Sequence, residues 1–167
     1  MMRLAIAAAL SLAACAPPHP PPPAQSARPV QTVGDIRVLD AYAQETPTGA
    51  RVAGVYLVLA NAGDTPDQLI AAQSPRAGHV DLHEMRMEGD LAVMRAVRAV
   101  ELPGHAVALM APGGMHVMLN EIDGPLVAGQ SVPLTLRFAH AGELTLEAPV
   151  RARAAGAAPS AHAGHAH

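Results

Sequence analysis

Val132-Pro133-Leu134-Thr135-Leu136-Arg137-Phe138, followed within a few residues by Leu144-Thr145-Leu146-Glu147-Ala148, decides the fold class. In an extended chain successive side chains point to opposite faces. Leu134, Leu136 and Phe138 therefore share one face, with Thr135 and Arg137 on the other. Leu144, Leu146 and Ala148 repeat the alternation within Glu143–Val150. Period two over short segments is the mark of half-buried strands.

The same pattern extends upstream. Ile36–Tyr42, Val55–Ala60, Asp67–Ala72, Val80–Glu88, Leu91–Val97, Val107–Met110 and His116–Ile122 each read as a strand. Asn61-Ala62-Gly63-Asp64, Pro75, Gly89-Asp90 and Pro112-Gly113-Gly114 break them as turn residues do. No segment keeps a helical apolar period over a window of about 11 residues. The Ala-rich stretch near Arg95 is interrupted by β-branched Val93, Val97 and Val100. The expectation is an all-β sandwich or Greek-key barrel.

The chain has 167 residues, 50% of them hydrophobic, a figure inflated by Ala. Aromatics are limited to Tyr42, Tyr56 and Phe138, so the core must come from Val, Leu, Ile and Met. Net charge is −3 and there is no Lys. Without a basic patch, nucleic acid is not an expected partner. No nucleophile–base signature, glycine-rich phosphate loop or redox dithiol points to an enzyme.

The N-terminus reads as an address. Met1–Arg3 is positive and Leu4–Leu12 is apolar, far short of the ~20 residues of a membrane span. Residues 1–14 have the layout of a secretory signal peptide. Leu12-Ala13-Ala14-Cys15 resembles the bacterial lipobox, which implies lipidation of Cys15 and a membrane-anchored lipoprotein of the bacterial envelope, on the periplasmic side. The other reading is an ordinary signal peptide with an incidental cysteine. Residues 15–35 form a Pro-rich tether, expected to be disordered and extended at ~3.1 Å per residue.

Four donors stand out: His83, Met94, His116 and Met118, spaced H-x10-M-x21-H-x-M. Two imidazoles and two thioethers suit a soft ion, Cu(I). Zinc favours thiolate, imidazole and carboxylate, and calcium and magnesium favour oxygen. With Cys15 the only cysteine, an internal disulfide is excluded, as is a blue-copper centre, which needs a Cys ligand inside the domain. On a strand His116 and Met118 share a face. A hairpin about Gly89-Asp90, symmetric about positions 88 and 89, sets His83 and Met94 roughly opposite one another. Taken singly, each residue has a plainer explanation: a Met on a strand is usually core filler, and a lone His is usually a surface or hydrogen-bonded residue.

Val80-Asp81-Leu82-His83-Glu84-Met85, then Met94, then Pro112-Gly113-Gly114-Met115-His116-Val117-Met118-Leu119 resembles the periplasmic copper chaperone family often called PCuAC. All four positions of that family's motif match. Thr46–Ala50, Tyr56–Asn61, Ser74-Pro75 and Val132–Phe138 resemble its other strands and turns. Tyr42 stands where relatives commonly carry Trp.

The resemblance implies a cupredoxin-like β-sandwich over residues 36–150, holding one Cu(I) near its surface through His83, Met94, His116 and Met118. It also implies delivery to a copper-accepting protein, such as the copper A centre of cytochrome c oxidase subunit II, or another assembly factor. A sequestration or resistance protein that stores copper without delivering it would carry the same ligands. A metal-free β-sandwich module is a third reading.

Other donors remain. Met85 and Met87 share strand parity with His83, which makes them candidate auxiliary thioethers or plain gap fillers. Met110 and Met115 lie nearby in sequence, and Glu84 is expected to face away from His83. His79 and His105 have no evident partner. Residues 151–167 form a flexible tail with His162, His165 and His167. Those imidazoles suit Cu(II) as a second site or capture arm, or are incidental.

Overall fold

The computed structural model describes residues 30–153, which form eleven strands with no helix among them. These are β1 (Gln31–Val33), β2 (Ile36–Gln44), β3 (Val52–Asn61), β4 (Asp67–Gln73), β5 (His79–Glu88), β6 (Leu91–Val97), β7 (Val100–Leu102), β8 (Val107–Met110), β9 (Met115–Asn120), β10 (Ser131–Phe138) and β11 (Glu143–Arg151). Cys15, most of the tether, and the tail histidines His162, His165 and His167 lie outside the described residues.

The alternating pair behaves as its sequence demands. β10 and β11 form an antiparallel hairpin in which Leu134 faces Leu146 and Leu136 faces Leu144. Val132, Leu134, Leu136 and Phe138 are buried, while Thr135 and Arg137 are not. Each such Leu removed from water contributes roughly 1.5–3 kcal/mol. β4 pairs with the other edge of β10, and β7 with β4. This four-stranded layer covers a second one ordered β6-β5-β9-β3-β2. β8 and β9 lie end to end along the same strand, β8 against Leu57–Ala60 and β9 against Val52–Val55.

The last residues of β11 tie the layers together, with Val150 and Arg151 running parallel to Ala43 and Gln44 of β2. One cluster of buried side chains fills the space between the layers, from Val55, Leu57, Val117 and Leu119 on one side to Leu69, Leu134, Leu136 and Leu146 on the other. The fold is the all-β sandwich expected from sequence. β4 pairs with β10 and not with its sequence neighbours, the long return of a Greek key. Among the described residues no ladder joins β6 to β7, so the arrangement is an open sandwich and not a closed barrel.

Two strands escape the sequence reading. β1 lies inside the segment taken as tether, and its residues pair with Ile36–Val38. β7 is the other. At three residues each, neither is long enough to display a period.

Buried polar groups knit the loops. Asn61 donates to the carbonyls of Thr65 and Leu102 and accepts from the Gly63 amide. The Asp67 carboxylate accepts backbone N–H bonds from Gln68, His140 and Ala141, pinning the start of β4 to the β10–β11 turn. Burial pushes its carboxyl up, but these three donors outweigh that and hold it below the ordinary value.

Candidate metal centre

β9 sits between β3 and β5 and is buried on both faces. Val117 and Leu119 point into the core. His116 and Met118, on the opposite face, are only 5% and 6% exposed. They are covered by neither core layer. They line a cleft on the outer face of the sheet, with Tyr56, Met85, Met94 and Arg153 among its walls. The Thr46-Pro47 segment and Pro112-Gly113 close its sides.

The ladders bring the four donors together. His83 of β5 is directly opposite His116 of β9, and Asp81 is opposite Met118. The two imidazoles stand edge-to-face, with centroids 5.9 Å apart at 79°. His83 Nδ1 is 3.1 Å from Met94 Sδ. Metal–nitrogen and metal–sulfur bonds run about 2.0 and 2.3 Å, as zinc sites show, so this separation is compatible with one shared ion.

The expected hairpin is present but its register differs. Gly89 takes positive φ (63°), and only Gly89 and Asp90 stand outside the ladder, as in a two-residue turn with glycine first. Glu88 then faces Leu91, Met94 faces Met85, and His83 faces Ala96. Met94 thus reaches His83 diagonally, from two pairs further toward the turn than expected. The shift is by an even number of residues, so the face is preserved.

The loop before β9 orients one imidazole. The Ala111–Gly114 turn is closed by a bond from the Gly114 amide to the Ala111 carbonyl, with Gly113 at φ 80°. The Gly114 carbonyl accepts from His116 Nδ1 at 3.0 Å and from the Met85 amide at 3.2 Å. A carbonyl only accepts, so Nδ1 carries the proton and Nε2 keeps the lone pair in the neutral ring. That is the outer-shell arrangement by which metal-binding histidines are fixed.

Gly54 faces Met118 across the β3–β9 ladder. A Cβ there would come within 2.8 Å of the Tyr56 hydroxyl, so the missing side chain is what admits the tyrosine. The Tyr56 ring packs between His116 (6.2 Å) and Tyr42 (5.2 Å), with the Arg151 guanidinium 4.2 Å from the Tyr42 ring centre. Burial foremost, then Tyr42, raises the Tyr56 phenol above its usual value, with Arg153 opposing. Gly54, Tyr56 and Arg153 were not singled out from sequence as parts of a site. The available signal was an aromatic on the outward parity of a strand whose inward positions were already apolar.

Among the described residues no three His, Cys, Asp or Glu side chains are placed to hold an ion.

The family model described as "Putative lipoprotein LpqE-like" matches residues 36–150. A copper-bound PCuAC domain from PmoF2 superposes with a TM-score of 0.66 at 30% identity, covering 75% of this chain and 100% of that one. The chain belongs to the LpqE-like, PCuAC-type family. The Cu(I) form of DR1885 from Deinococcus radiodurans is also similar, with a TM-score of 0.57 and 27% identity over 78% of this chain and 86% of that one. A putative lipoprotein of Leifsonia xyli subsp. xyli is 29% identical over 130 residues, 77% of each chain.

The remaining donors of this LpqE-like chain divide by face. Met85 lies in the cleft wall and Met87 is exposed further along the same face. Met110 is buried in the core and Met115 packs against it. Glu84 faces away from His83 and pairs with Arg86 at 2.6 Å. His79 and His105, without evident partners in sequence, lie 3.6 Å from Asp81 and 2.8 Å from Asp64.

Proposed function

We propose that this LpqE-like protein is a copper carrier of the cell envelope. It binds one Cu(I) through His83, Met94, His116 and Met118 and passes it to a copper-accepting protein, with the copper A centre of cytochrome c oxidase subunit II as the expected acceptor. The reading rests on one observation: two imidazoles and two thioethers, from three strands, share one face, with Met94, His116 and Met118 lining one cleft and His83 against Met94 and His116. The copper-bound state of the PmoF2 domain and the Cu(I) state of DR1885 support it. The lipoprotein descriptions of the family and of the Leifsonia relative support an anchor at Cys15.

Carriage follows from the donors. Thioethers are soft, uncharged ligands, so Cu(I) is held without a buried anion and can leave by stepwise ligand exchange. The wall formed by Tyr56 and the Thr46-Pro47 segment restricts water on one side of the ion and leaves the other side open to a partner.

Anaerobic Cu(I) titration of the full chain, with His116→Ala and Met118→Ala beside it, tests the ligand set. One tight equivalent in the parent, lost in both variants, is the expected result. Full retention in both would remove the ligand assignment. Delivery is separated from storage by deletion strains: a carrier's loss lowers oxidase activity at low copper, whereas a storage protein's loss matters at high copper. For the tail, an unchanged Cu(II) stoichiometry after removal of residues 161–167 would dispose of a second site there.

A further inference from the structure

Beyond Glu84, which pairs with Met115, β5 leaves β9 and continues with β6 alone as a two-stranded overhang. The two faces of that overhang are chemically sorted. One carries His83, Met85 and Met87 on β5 opposite Ala96, Met94 and Ala92 on β6. The other carries Glu84, Arg86 and Glu88 on β5 opposite Arg95, Val93 and Leu91 on β6, with the ion pairs Glu84–Arg86 and Glu88–Arg95. From His83 to the turn, the site face therefore holds only imidazole, thioether and methyl groups. Small alanines stand on either side of Met94, and Met85 and Met94 are half-buried. Met85 is the direct cross-strand partner of Met94 and lines the cleft. Directly opposed side chains have Cβ atoms about 4.5–5.5 Å apart, within reach of one ion for two long thioethers. Met87 is the next residue on that face, 66% exposed, and Leu91 at the turn is 71% exposed.

We propose that Met85 and Met87, with Met94 shared, form a second and weaker Cu(I) station that leads from the cleft to the hairpin tip, where an acceptor docks. This rests on the four-ligand reading above. The step is ligand exchange without redox change: a Cu–S bond to Met85 forms while the bonds to His116 and Met118 break, and Met94 stays bound throughout. Copper remains Cu(I) and no proton is needed for the thioethers. In a second exchange the bond to His83 breaks as a Cu–S bond to Met87 forms, which brings the ion to the exposed end.

The test uses the full chain with 13C-labelled methionine methyls, titrated anaerobically with Cu(I) to two equivalents. The first equivalent is expected to move Met94 and Met118. The second should move Met85 and Met87 and shift Met94 again, while Met110 in the core stays still. In Met87→Leu, a near volume-conserving change outside the cleft, first-equivalent affinity should stay within about tenfold of the parent, and the second Met94 shift should need at least ~10-fold more copper. Stationary Met85 and Met87 methyls through two equivalents, or a second Met94 shift unchanged in Met87→Leu, would overturn the station while leaving the first site intact. A first equivalent that moves neither Met94 nor Met118 would instead overturn the four-ligand reading, and the station with it.

Discussion

β10 and β9 are both strands with fully buried alternate residues, yet they bury them for different reasons. In β10 the inward face is Val132, Leu134, Leu136 and Phe138, and the outward face carries Thr135 and Arg137. In β9 both faces are buried: Val117 and Leu119 by the core, His116 and Met118 by a cleft with no apolar layer over it. The face of β9 turned away from the core thus places a histidine and a methionine in a cleft. The core face sets whether the protein folds, and the other face sets what it holds.

The largest effect that sharpens this contrast is on the core side. Leu136→Ala should lower the stability of the apo protein by about 2–5 kcal/mol, as buried Leu truncations do. Urea unfolding followed by circular dichroism measures it, and the folded fraction should still bind Cu(I). His116→Ala comes next and acts on the other face. Cu(I) affinity should fall at least ~100-fold, or about 2.7 kcal/mol, with apo stability lowered by only about 1 kcal/mol. A variant that keeps its copper affinity but unfolds as readily as Leu136→Ala would show that His116 is core after all.

Gly54→Ala tests the wall behind the ligands. Its new methyl meets the Tyr56 hydroxyl, and overpacking of this kind costs about 1–3 kcal/mol. Cu(I) affinity should weaken with it. Adding Tyr56→Phe should restore part of the loss, and a double variant no better than the single one would place the strain elsewhere.

The smallest effect concerns pH and lies far from the cleft. The Asp67 carboxyl is held below its ordinary value of 3.8 in the folded protein. Its stabilisation is therefore present above that pH and is lost as pH falls through the folded value. Asp67→Asn should flatten the acid limb of a stability–pH curve while leaving Cu(I) binding at neutral pH unchanged. An acid limb of unchanged slope would contradict the role assigned to its three backbone donors.

Much of the sandwich was legible because alternation is a local signal. Leu134, Leu136, Leu146 and Ala148 announce their face with no knowledge of what covers them. The spacing of His83, Met94, His116 and Met118 drew notice to them in the sequence, and the shared face of His116 and Met118 was legible through strand parity. Pairing was less so. Placing the hairpin's centre two positions too early, in the sum of paired numbers, left His83 opposite Met94, whereas the turn at Gly89 sets Met85 there. The meeting of His83 with His116 depends on β5 lying beside β9, a contact between strands separated by a whole hairpin and β7–β8. Gly54 and Tyr56 share a face two residues apart on β3, but that this face adjoins Met118 is disclosed only by the ladder between β3 and β9.

The overhang of β5 and β6 has a dynamic consequence. A two-stranded ribbon is marginal by itself in water, and such segments open locally at far lower free energy than the body they project from. Met94 belongs to that ribbon, while His116 and Met118 belong to the rigid sheet. Capture of an ion across the junction would fasten the ribbon down and slow amide exchange along Leu91–Val97. Surrender of the ion would set it loose again, so the timing of release becomes a property of how often the ribbon frays.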